Sequence, residues 1–90
     1  MNKILILTTE GCEGCYIAKQ NVELAILRTS KDITVESKDW HNCPKNIIVK
    51  HKIKDFPAVL YYVDDKVVNK AIGSYPVAVY VRWIDMYFKN

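Results

Sequence analysis

Apolar residues along this chain gather in short runs and helical stripes. Ile4-Leu5-Ile6-Leu7 is a four-residue apolar run inside the stretch from Lys3 to Thr8, the length and make-up of a buried strand. Thr9 to Gly14 follows as a loop with two glycines. From Cys15 to about Thr29, Ala18, Val22, Ala25 and Ile26 recur at spacings that place them on one face of a helix. Ser30-Lys31-Asp32 breaks that pattern. Ile33 and Val35 then alternate with polar neighbours, which predicts a half-buried strand from Ile33 to Ser37.

The second half continues the alternation. Lys38 to Pro44 is polar and loop-like, and a short helix is expected from about Pro44 to His51. Proline suits its first turn, where a missing N–H costs nothing. Ala58 to Val63 is β-branched and aromatic, Asp64-Asp65 makes a turn, and Lys66 to Ile72 returns, together an antiparallel hairpin. Gly73 stops the strand, and Pro76 stands near the start of a last helix running to about Phe88. The order β-α-β-α-β-β-α predicts an α/β fold. Its first crossover gives a right-handed parallel pair, and the hairpin adds two antiparallel strands. The expected product is one four-stranded mixed sheet with helices on both faces, and 90 residues suit a single domain over 1–90.

Composition narrows the function classes. Half the residues are hydrophobic, well above the level of a disordered chain. The apolar run near the start is too short for a secretory core, which needs roughly seven to fifteen residues. No stretch approaches the roughly 18 apolar residues of a membrane span. A cytoplasmic protein, not bound to membrane, is therefore expected. Net charge is +3, too small to imply nucleic acid, and no phosphate loop or basic–aromatic interleaving supports it. Lys45, Lys50, His51, Lys52 and Lys54 cluster locally. They read either as a solvated face or as a docking surface for an acidic partner.

The chemistry-bearing pattern is Gly11-Cys12-Glu13-Gly14-Cys15, placed where a strand ends and a helix begins. A helix start offers unpaired N–H groups and a partial positive charge, and both favour a thiolate. Cys12, on the loop side, is the expected nucleophile. Cys15, one turn into the helix, is the expected resolving thiol. A metal-binding knuckle or two incidental thiols remain the alternatives. Pro57 has an argument of its own. An X–Pro bond adopts the cis form at a cost of only about 0.5–1 kcal/mol. A cis bond would free the Phe56 backbone to pair with an extended substrate segment, while a trans proline at a strand start is the plain alternative.

With these marks in order, the chain resembles the thioredoxin/glutaredoxin superfamily over essentially its whole length. Pro57, opening the third strand in Asp55-Phe56-Pro57-Ala58, matches the cis-proline that this superfamily sets against its cysteines, and Gly73 precedes the last helix. The resemblance implies a thiol–disulfide oxidoreductase working through Cys12 and Cys15, with Phe56, Pro57 and Gly73 on the substrate side. It implies no cofactor and no metal, a monomer, disulfide-containing protein substrates, and a thioredoxin reductase or low-molecular-weight thiol as electron donor. A glutathione-coupled, glutaredoxin-like reductase and a non-catalytic binding or zinc module are the alternatives.

The sequence also departs from its relatives. Gly11 stands where many thioredoxins carry tryptophan, and Glu13-Gly14 where they carry Gly-Pro. Ile6 occupies the place of a buried aspartate that assists proton transfer. Gly73-Ser74-Tyr75-Pro76 lacks the paired acids of the glutaredoxin glutathione site, which favours a flavoprotein reductase as donor. Tyr80, Ile84, Tyr87 and Phe88 line one face of the last helix, with Trp83 beside them, as core or as a partner surface. His41 and His51 read as surface residues, and Trp40 is expected near the motif end of the sheet. Cys43 is read as non-essential, neither metal ligand nor partner of the main pair.

Overall fold

The computed structural model describes residues 1–89. Its centre is β1 (Asn2–Thr8), flanked on one side by β2 (Ile33–Asp39) and on the other by β3 (Ala58–Val63), with β4 (Lys66–Ile72) at the far edge. β1 pairs parallel with β2 and antiparallel with β3, and β3 pairs antiparallel with β4. This is the four-stranded mixed sheet expected from the order of elements. The hairpin turns through Asp64 and Asp65, both in the left-handed region, as a two-residue turn matched to strand twist requires.

All four residues from Ile4 to Leu7 are buried, because helices cover both faces of the sheet and leave β1 no solvent side. Ile4 and Ile6 point into one core with Val22 and Ala25 of α1 (Glu13–Arg28) and Tyr80 and Ile84 of α3 (Val77–Tyr87). Leu5 and Leu7 point the other way, joining Cys43, Ile53, Ala58 and Leu60 beneath α2 (Lys45–Lys50). The last-helix aromatics serve as core: Tyr80 and Phe88 are fully buried, and Trp83 and Tyr87 pack against the same cluster.

Two boundaries differ from the sequence reading by two residues. Helix α1 begins at Glu13, two residues before the expected start, because Cys12 caps it. Strand β2 runs on to Asp39, since Leu7 and Thr8 pair with Lys38 and Asp39 through the backbone, whatever their side chains. As an edge strand it is also more exposed than expected, with Val35 at 36%. Glu36 on this edge is bridged by Lys3 at 3.1 Å and Lys38 at 3.3 Å. Their hydrogen bonds hold its carboxyl below the usual range, and such charges blunt an open edge.

Candidate active site

Gly11, with φ +68°, turns the chain out of β1 into α1, a conformation that costs glycine little. Cys12 then sits at the helix N-cap, and its sulfur accepts the Cys15 backbone N–H at 3.0 Å. One of the helix's unpaired donors is thereby satisfied by sulfur, at the positive end of the helix dipole. Cys12 and Cys15 are joined by a disulfide, with Cα atoms 5.3 Å apart. Cys12 is partly exposed, whereas Cys15 is buried.

Two distant segments approach this motif. The Phe56–Pro57 bond is cis, and the Phe56 carbonyl oxygen lies 3.9 Å from Cys12 Sγ. Pro57 is buried, and a Cβ built on Gly14 would stand 3.6 Å from its Cδ and 3.8 Å from Ser74 Oγ. Gly73, at φ +100°, donates its N–H to the Pro57 carbonyl at 2.8 Å. So Phe56 comes to the Cys12 sulfur, Pro57 packs beside Gly14 between the two cysteines, and Gly73 reaches the site only through Pro57. Ser74 joins them, a residue that the sequence reading noted only as a missing acid. Its presence follows from the β3–β4 register, Ala58 opposite Ile72, which no local pattern reveals.

Trp40 also reaches the site. It lies in a short 3-10 turn, Trp40–Asn42, and its ring stacks on Phe56 with centroids 6.0 Å apart. His41 lies against the Trp40 ring at 3.8 Å. The exposed His41 donates its backbone N–H to Asp39 at 2.9 Å, with its ring nitrogen 2.6 Å from the same carboxylate. These bonds hold the Asp39 carboxyl below its ordinary range.

The other cysteine lies elsewhere. Cys43 is a free, buried thiol in the α2-side core, and burial pushes it above the ordinary thiol value. Among the described residues no three His, Cys, Asp or Glu side chains are grouped to hold a metal ion. Ile6 is fully buried in apolar surroundings, and no Asp, Glu, His, Lys or Arg residue is buried among the described ones. The position of Ile6 therefore supplies no proton carrier.

No protein-family model matches the sequence, and no curated protein sequence matches it. Solved structures do. Over 97% of this chain and 84% of its own length, thioredoxin-2 of the malaria parasite, described as a component of the protein secretion machinery, superposes with a TM-score of 0.79 at 11% identity. Thioredoxin from Aeropyrum pernix gives 0.77 at 16% identity, over 97% of this chain and 75% of that one. An N21Q mutant thioredoxin from Halobacterium salinarum gives 0.78 at 16% identity, over 99% and 76%. The chain has the thioredoxin fold. Within that thioredoxin fold, the Cys-x-x-Cys disulfide stands at the N-terminus of the first helix, with the cis-proline segment against it.

Proposed function

We propose that the chain is a thiol–disulfide oxidoreductase that reduces protein disulfides through Cys12 and Cys15. The observation that carries this reading is the placement of the Cys12 sulfur. It caps α1, takes the Cys15 N–H, is bonded to the Cys15 sulfur, and has the Phe56 carbonyl 3.9 Å away. In the reduced protein the Cys12 thiolate, favoured by the helix start, attacks one sulfur of a substrate disulfide. A Cys12–substrate disulfide forms, and the second substrate sulfur leaves as a thiolate. Cys15 then loses its proton and attacks the Cys12 sulfur, releasing the first substrate thiolate and closing the disulfide seen here. Two electrons pass from the dithiol to the substrate.

Phe56 and Pro57 supply the docking edge for the substrate segment, and Gly73 braces it through the Pro57 carbonyl. With Ile6 in the core and no buried acid behind the pair, the Cys15 proton leaves by solvent. Electrons return from a flavoprotein reductase or a low-molecular-weight thiol, in a reducing compartment such as the cytoplasm. No carboxylate occurs among Gly73-Ser74-Tyr75-Pro76 to pair with the glutathione ammonium group, and the Tyr75 backbone is already taken by Asn21 and Tyr80. That favours the flavoprotein. The test is reduction of insulin disulfides in the presence of dithiothreitol. Acceleration by the wild type, loss in Cys12→Ser, and a trapped mixed disulfide in Cys15→Ser are expected. A wild type no faster than dithiothreitol alone overturns the reading.

A further inference from the structure

Residues 44–55 hold four lysines, Lys45, Lys50, Lys52 and Lys54, against one acid, Asp55. Since the whole chain carries +3, this segment accounts for the entire net charge and the remainder is balanced. All four lysines are exposed. Along the same segment run two adjoining hollows that share Ile48 and Val49. One, of about 400 Å³, is completed by Trp40, His41, Cys43 and Lys45. The other, of about 470 Å³, is completed by Lys52, Ile53 and Lys54. Val49 is 73% exposed, so an aliphatic ridge stands bare between lysines. The groove is continuous with the disulfide, because its Trp40 wall stacks on Phe56 and the Phe56 carbonyl faces Cys12.

We propose that this groove docks an acidic polypeptide segment of the disulfide substrate. An apolar side chain seats on Ile48 and Val49, and flanking carboxylates meet Lys45, Lys52 and Lys54. The inference rests on the redox reading and names the class of substrate that this reading serves. An apolar anchor inside a charged rim is the usual division of labour at a docking site: the anchor holds, and the charges steer and select. The nearby acids leave the rim positive. Asp39 is engaged by His41, and Asp55 is outnumbered. The ridge of Ile48 and Val49 is aliphatic, which suits an apolar side chain of a polypeptide.

The test measures binding of two cysteine-free peptides to the oxidised protein. Both carry a central leucine, flanked by glutamates in one and by lysines in the other. Tryptophan fluorescence and backbone amide shifts of Ile48 and Val49 are the readouts. The acidic peptide should bind about tenfold more tightly at low salt, with most of the preference lost near 0.5 M salt. Lys45→Glu/Lys52→Glu/Lys54→Glu should reverse the preference. Equal affinities, binding of neither peptide, an unchanged preference in the triple variant, or tighter binding of a single-stranded oligonucleotide would each overturn the proposal. Because the oxidised protein performs no chemistry on these peptides, this outcome is independent of the insulin assay. A failure of the redox reading shows there and not here.

Discussion

The backbone N–H of Cys15 points at the sulfur of Cys12 from 3.0 Å. One contact thus links the fold to the chemistry: it caps α1 and holds the outer sulfur at the helix's positive end. The inner sulfur belongs to a residue with only 4% of its surface exposed, so the two thiols of the reduced pair differ in access.

That difference sets the order of alkylation. In the reduced protein at neutral pH, iodoacetamide should modify Cys12 at least about tenfold faster than Cys15, since thiolate character and exposure govern reactivity. Cys43, buried and pushed up by burial, should lag as well. Peptide mass spectrometry over a time course reads all three. Equal rates at Cys12 and Cys15 would reject the assignment of Cys12 as nucleophile.

The capping role can be separated from the redox role. Serine is a good N-cap and alanine is not, so under reducing conditions Cys12→Ala should be less stable than Cys12→Ser by about 1 kcal/mol. Urea unfolding of both variants measures the gap. Identical midpoints would mean that a capping side chain at position 12 does not stabilise α1.

Two glycines of the site should respond to alanine with opposite signs. Gly14 is the second residue of α1, and a Cβ there meets only ordinary contacts at 3.6 and 3.8 Å. Gly14→Ala should therefore stabilise the protein by about 0.5 kcal/mol through helix propensity. Gly73 has open space around its missing Cβ but sits at φ +100°. Gly73→Ala should cost about 1–2 kcal/mol from backbone strain alone. Thermal unfolding of the pair decides, and a stabilising Gly73→Ala would contradict the argument.

Tyr61 is fully buried, and its hydroxyl has no hydrogen-bond partner among the described residues. Removing an unsatisfied buried hydroxyl is favourable, so Tyr61→Phe should raise stability by about 1 kcal/mol. The pH dependence follows from the same burial, which raises the Tyr61 hydroxyl well above its ordinary value near 10. The unfolded chain loses this proton near pH 10 while the folded chain keeps it. Stability is therefore fully present below pH 10 and falls as pH rises above it. Tyr61→Phe should flatten that alkaline loss, and Tyr80, raised by burial too, should account for part of what remains. A slope unchanged in Tyr61→Phe would contradict this.

Cys43 is a packing residue of the α2-side core. Cys43→Ala should leave insulin reduction within about twofold of wild type, while lowering stability by about 1 kcal/mol through lost contacts. Cys43→Ser should cost more, because it buries a hydroxyl. Loss of turnover in Cys43→Ala with the fold intact would give the third thiol a redox role that the structure does not suggest.

The sequence by itself determined the elements and the place of the chemistry. The Ile4–Leu7 run read as a buried strand, and it is one. The stripe of Ala18, Val22 and Ala25 read as a helix face and Asp64-Asp65 as a turn, and both are so. Cys12 and Cys15 were legible at the strand–helix junction because the feature that matters there, a helix N-terminus, is local. The resemblance of Pro57 and Gly73 to superfamily marks added the partners. Tertiary structure decided the rest. It set the cap that moves the start of α1 to Glu13 and the backbone pairing that carries β2 to Asp39. It also brought Ser74 to Gly14, Gly73 to the Pro57 carbonyl and Trp40 onto Phe56. Periodicity records which side of an element meets the core. Distances between far segments depend instead on strand order and register, which arise only when the whole sheet closes.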